Sequence, residues 1–441
     1  GTLMQVGSGI LVLSGANTYS GGTKVSLGGL YLNSATALGT GSLTISDSTV
    51  LGNSSGSAVT LSSNNSQVWA GSFSFVGGNN LNLGSGGVTL SVTPVVTVST
   101  GTLTVGGSIS GAYGLSKAGF GTLVLGGANI YSGTTSVSAG VLQIGAGSLS
   151  GSLSTGLVSV ASGAVLAFNR SNSVTQGLDF GSVISGSGAV TQMGSGTLIL
   201  SGSNTYGGGT NLSAGSLFID AAYALGTGPL NIYASTTLGN SSGFALTLAT
   251  NNAQVWAGSF GFAGNNNLNL GTGGVTLSAN SEVSVNAGTL TVGGSISGAY
   301  GLTKSGAGLL VLNGTNKYTG TTSVNAGTLR VGVGATSGSL GLGLVSIGSG
   351  AVLAFNRSNT ATQSSDFGAV ISGAGTLMQV GSGTLVLSGA NTYSGGTKLA
   401  IGTLHLNSAN ALGTGTLTIF DSTFLGNSSG SALTLSSNNE Q

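Results

Sequence analysis

The chain has 441 residues, of which 3% are charged and 85 are Gly, with one His, two Pro, no Cys and a net charge of +1. No disulfide framework or Cys-based metal site is possible, and no basic stripe exists to neutralise a phosphate backbone, which excludes nucleic acid as a partner. A positive mean hydropathy with almost no charge is the opposite of a disordered composition, and apolar runs as short as Leu11–Leu13 rule out a membrane-spanning helix.

From the first residues the chain reads as short strands separated by Gly, Ser and Asn turns. Gly9-Ile-Leu-Val-Leu-Ser-Gly-Ala-Asn-Thr-Tyr-Ser-Gly21 returns as Gly121-Thr-Leu-Val-Leu-Gly-Gly-Ala-Asn-Ile-Tyr-Ser-Gly133, and again from Gly196, Gly308 and Gly383. A long step and a shorter one alternate between these starts. Gln67–Phe73 recurs at Gln254–Phe260, and Ala164–Asn172 at Ala351–Asn359, both at one and the same offset. Two unlike units were thus joined and then copied in tandem. The boundaries read 1–187 for the first copy, 188–374 for the second and 375–441 for part of a third. The stop inside a third copy is expected of an excerpt from a longer array.

Within the motif, Leu123 and Leu125 share one face of a strand and Thr122 and Val124 the other. Gly126–Gly133 is turn chemistry, because Gly permits positive φ and Asn tolerates it. Thr134–Gly140 then leads into a second strand at Val141–Ile144. Leu290, Leu310, Leu329 and Val352 mark strands at nearly even intervals. Three strands of about five residues with tight turns use about 20 residues and return the chain above its start. This predicts an all-β parallel β-solenoid of about 20 coils, built on tandem 187-residue repeats. At about 4.8 Å per coil such a stack extends about 100 Å, and successive copies superpose after a shift of about 43 Å. A sandwich or up-and-down barrel would need a hairpin signal every 8–12 residues or so and a point of closure.

The pattern Gly-x-Gly-Thr-Leu-x-Leu-x-Gly-x-Asn-x-Tyr-x-Gly-x-Thr, at Gly119–Thr135, Gly194–Thr210 and Gly381–Thr397, resembles the passenger-associated β-strand repeat of bacterial autotransporters. Ser110–Lys117 and Ser297–Lys304 resemble the lead-in of the same family. The resemblance implies a right-handed parallel β-helix, export across the outer membrane and an extracellular place on the cell surface.

Catalysis needs titratable groups that converge, and a site used by every copy recurs by position. His405 takes the place of Tyr31 and Phe218, Glu440 of Ser66 and Ala253, Asp220 of Asn33, Glu282 of Val95, Lys317 of Ile130, and Arg330 of Gln143. None of these is a fixed part. Lys117 returns as Lys304, Arg170 as Arg357 and Asp179 as Asp366, while Lys24 and Lys398 flank an Asn211 and Asp47 and Asp421 an Ala234. Arg170 with Asp179, and Arg357 with Asp366, bracket a polar loop, which they either pin as a structural ion pair or offer to a polar ligand. One repeated Asp per copy supplies no carboxylate pair and no calcium repeat, so no enzyme activity, cofactor or metal is expected.

Trp69 and Trp256 are candidates for an aromatic glycan platform, against a filling role in a wide coil. Asn53, Asn169, Asn240 and Asn356 begin Asn-x-Ser/Thr triplets. Thr102/Thr104 and Thr289/Thr291 recur too sparsely for an ice-binding ladder. The sequence therefore points to a structural extracellular fibre segment serving adhesion or a coat. Its expected partner is itself, end to end and side by side, with a surface polysaccharide as the alternative.

Overall fold

The computed structural model describes residues 1–263, 266–436 and 439; Glu440 lies outside them. Two compact units are present, residues 1–217 with 223–228, and residues 218–222 with 229–441. Among the described residues every regular element is a strand and no helix occurs. Each unit is a parallel β-solenoid, and the two together make about 20 turns.

In the first unit, Ile10–Leu13, Gly29–Leu32, Thr49–Gly52, Phe73–Phe75, Val95–Val98, Leu115–Ala118, Thr135–Val137, Val158–Val160 and Ile184–Ser185 stack in chain order as one nine-stranded sheet. Nine strands in chain order mark nine successive turns. A second face runs from Val59–Thr60 through Leu81–Asn82, Thr102–Val105, Thr122–Leu125, Val141–Ser148, Val165–Arg170 and Ala189–Gln192. In the second unit a nine-stranded sheet runs from Leu246–Thr247 to Leu417–Ile419.

The core is built from like residues stacked on like. Leu103, Leu123, Leu142, Leu166 and Val190 pair rung by rung, and all are fully buried. Leu290, Leu310, Leu329, Leu353 and Leu377 do the same in the second unit. Each such side chain contributes about 1.5–3 kcal/mol through burial, which offsets the ordering of Gly-rich turns. Here the sequence reading needs one correction. Val352 pairs with Thr328 on the outer face, and the inward partner of Leu329 is Leu353. The Gly-x-Leu spacing misses by one where Ala351 replaces the turn glycine.

Two further details differ from the simple strand–turn–strand reading. Thr135–Val137 is a strand of its own in the first sheet, not a lead-in, and Val124 is buried along with its inward neighbours. The segment between, 126–134, carries no strand; the N–H groups of Gly126, Ile130, Ser132 and Gly133 donate to carbonyls of the turn before, and side chains add further bonds. Asn129 Oδ1 accepts from Ile109 N–H on the turn before, while Asn129 Nδ2 donates to Ser152 O on the turn after. Asn204, Asn316 and Asn391 repeat both bonds. Tyr131 then turns inward, fully buried, with its hydroxyl 2.6 Å from Thr135 Oγ1. The Asn-x-Tyr-x-Gly-x-Thr spacing therefore supplements the sparse backbone bonds on this side with side-chain ones, since buried polar groups must be paired.

Glycine is required where turns pass at close range. A Cβ on Gly294 would lie 1.8 Å from Gly273 O on the neighbouring turn, a separation no rotamer change relieves.

Candidate functional site

Three groups of polar or aromatic residues recur with the repeat, and the structure places each of them in the core or against it. Lys117 and Lys304 follow a buried Leu by two positions on a strand, so both point inward and are fully buried. Lys117 Nζ donates to Ala118 O, Gly119 O and Ala139 O at 2.8, 2.7 and 3.1 Å. Lys304 Nζ donates to Ser305 O, Gly306 O and Ala326 O. Three donors meet three carbonyls of two successive turns. In the other three repeats the slot holds Gln5, Gln192 or Gln379, whose amides donate to Gly7 O and Gly9 O, to Gly194 O and Gly196 O, or to Gly381 O and Gly383 O. The exchange of Lys for Gln at one motif position is the signal in the sequence for a turn-capping donor, and the recurring charge alone conceals it.

Burial pushes the pKa of both ammonium groups down to about 8, against the pull of the carbonyls. A base with a lowered folded pKa binds fewer protons when folded than unfolded. Between about pH 8 and the ordinary lysine value of 10.5, stability therefore rises with pH. Denaturant melts at about pH 7.5 and about pH 9, below the range where tyrosine ionises, should show this rise. The double variant Lys117→Gln, Lys304→Gln should lose it, and an unchanged slope would contradict the assignment.

Arg170, at the end of the strand Val165–Arg170, and Arg357, two residues past the strand Val352–Phe355, are 8% exposed. Arg170 Nη1 donates to Gly151 O at 2.8 Å and lies 3.3 Å from Asp179 Oδ1, while its Nε donates to Asn172 Oδ1. Asp179 Oδ2 accepts from Thr175 N–H. Arg357 repeats the arrangement with Gly338 O, Asn359 and Asp366, the last at 3.1 Å. The guanidinium thus ties the long turn at 149–157 to the 171–180 turn through its Nε and Nη1. Val174–Thr175, inside the loop they bracket, is itself a short strand.

Trp69 and Trp256 are fully buried, so neither ring face is open to a sugar. Each packs edge-on against Phe73 or Phe260, with ring centres 5.0 and 5.1 Å apart. Each indole N–H donates to Gln67 or Gln254 two positions before it. The glycan-platform reading fails on this burial, and the tryptophans fill the coil. Asn53 and Asn240 are buried too, their amides donating to Asn80 O and Asn267 O, which removes them as modification sites.

His405 lies beside Gly426 on an outer face, and Glu282 accepts a hydrogen bond from Ser305. Among the described residues no three of His, Cys, Asp and Glu gather as a metal site would require.

The outer faces carry neutral hydroxyl rows. Ser116, Ser136, Ser159 and Ser185 stand in register on four successive turns, as do Thr303, Ser323, Ser346 and Ser372 in the second unit.

Residues 3–32, 115–144, 190–217, 302–331 and 379–406 match the family model of the passenger-associated-transport-repeat. Each match carries the capping Lys or Gln strand and the Asn-x-Tyr side described above. The sequence is also 28% identical over 483 aligned positions, covering 94% of this chain, to the Adhesin BmaC autotransporter of Brucella suis biovar 1 (strain 1330). The chain spans 13% of that relative's length. No solved structure matches.

Proposed function

We propose that this chain is a segment of an extracellular, adhesin-type rod, secreted or displayed on the cell surface, that lies side by side with copies of itself. The observation that carries the reading is the set of five passenger-associated-transport repeats on a parallel β-solenoid, together with the similarity to an autotransporter adhesin. The neutral hydroxyl rows support the lateral contact: with a net charge of +1, facing rods have little to repel each other. Parallel coils give such a protein reach in proportion to copy number, at about 4.8 Å per coil. The reading assigns no reaction to the chain.

Immunogold labelling of intact cells that make the full-length protein, with antibody raised against residues 1–441, tests this placement. Label on the outside of intact cells is the expected result. Label that appears only after the cells are broken would overturn it.

A further inference from the structure

We propose that the first unit pairs with the first unit of a second copy of this chain through one apolar side, centred on Ile130 and Leu178. The pairing rests on the reading of side-by-side rods and assigns one face to it. In the first unit the sheet from Leu3–Gln5 to Ile109–Ser110 forms a first side, the nine-stranded sheet a second, and the sheet through Thr102–Val105 a third. Each passenger-associated-transport repeat covers two sides with strands and leaves the next one bare. The repeat at 3–32 places its strands on the first and second sides, and that at 115–144 on the second and third. The strands of the repeat at 190–217 lie on the third side and, through pairing of Thr197–Leu200 with Val174–Thr175, on the first. The strand-free side thus steps round the unit, and residues 14–22, 126–134 and 201–209 lie on three different sides.

These sides differ at their centres. The residue between the motif's Asn and Tyr is Thr18, Ile130 or Thr205 in the first unit, and Lys317 or Thr392 in the second. Ile130 is 72% exposed. Tyr113 lies one turn before it, Leu149 and Leu157 one turn after, and Leu178 on the turn beyond, all of them exposed. Their order follows from the bonds of Gly133 N–H to Tyr113 O, Ser154 Oγ to Gly133 O and Leu153 N–H to Asp179 O. The fold does not require this surface. The second unit builds the same turns with Lys317 for Ile130, Thr336 for Leu149 and Ser365 for Leu178, and keeps the Asn316 and Arg357 bonds. Exposed apolar residues grouped on one face, at positions where the fold accepts polar ones, mark a contact surface.

A second copy fits what this side presents. Among residues 106–114, 126–134, 145–157 and 171–183 the one charged residue is Asp179, which Arg170 pairs. A two-fold contact brings the same face against itself, so an unpaired charge there would meet its own sign, and this face carries none. Four turns of about 4.8 Å, with about seven residues of width at about 3.3 Å each, make a face on the order of 450 Å². Two such faces bury on the order of 900 Å², the range of weak, concentration-dependent association. The other strand-free sides of the unit have Thr at their centres, which leaves one such face per unit, so the contact closes at two.

The test is sedimentation velocity of the 441-residue protein over about 1–200 µM, beside the triple variant Ile130→Lys, Leu149→Thr, Leu178→Ser. The second unit folds with these residues, so the melting curve of the variant should match wild type. Wild type should pair, and the variant should need about tenfold more protein or beyond to do so. The chain has no Cys, so Ser132→Cys, exposed on the same side, gives a second readout: mild oxidation should link two chains. Ser159→Cys, exposed on the second side, probes the hydroxyl row. Equal association of wild type and triple variant, or linking of Ser159→Cys without linking of Ser132→Cys, overturns the apolar contact and leaves side-by-side packing standing. A wild type that stays monomeric overturns both. So does a monomer that binds phosphatidylcholine vesicles and loses them in the triple variant, which would give the side to a lipid surface.

Discussion

Trp256→Ala should destabilise the second unit by about 3–5 kcal/mol, among the largest effects of any single truncation in this chain. The indole is fully buried, packs edge-on against Phe260 and holds its N–H on Gln254. Removal leaves a cavity between rungs that the ladders on either side keep from collapsing, and it strands the Gln254 side chain in the core. Because each turn contacts its neighbours in sequence, the damage should be regional. Hydrogen exchange should rise around 230–277 and stay near wild type in the first unit. Trp256→Phe retains the apolar volume and should cost less. Unchanged stability of Trp256→Ala would contradict the filling role.

Arg357→Ala should cost about 2–3 kcal/mol, less than a fully buried pair because Asp366 keeps contact with water. Three partners lose their donor at once: Gly338 O, Asn359 Oδ1 and Asp366 Oδ1. The long turn at 332–344 should then exchange amide protons faster, while the strands on either side hold. Arg357→Lys should recover only part of the loss, since an ammonium places its donors at one point whereas these acceptors are met by two separate nitrogens of a planar fork. Equal stability of wild type and Arg357→Ala would show that the guanidinium is held for a ligand and not for the turn.

The architecture was legible in the sequence because its signals repeat: inward Leu-x-Leu, turn glycines and a fixed spacing run through the whole chain. The slip at Val352 shows the limit of that reading. A spacing rule anchored on Gly cannot register the strand where Ala351 stands in its place, whereas pairing with Leu329 can. Side-chain roles were less legible, because the same residue type serves opposite environments. Trp69 reads as a platform or as a filler until its burial is known. Lys117 recurs as a functional lysine would, yet its three bonds end on carbonyls of its own and the adjoining turn. Arg330 does not recur, so comparison between copies gives it no role.

The most direct measurement on the central reading is sedimentation velocity of the 441-residue protein over a range of concentration, from about 0.05 to about 1 M NaCl. Contacts between neutral hydroxyl faces have almost no charge to screen, so assemblies that grow with concentration should persist across the whole range. Assemblies that dissolve as salt rises, or a protein that stays monomeric at high concentration, would contradict a rod that packs against its own copies.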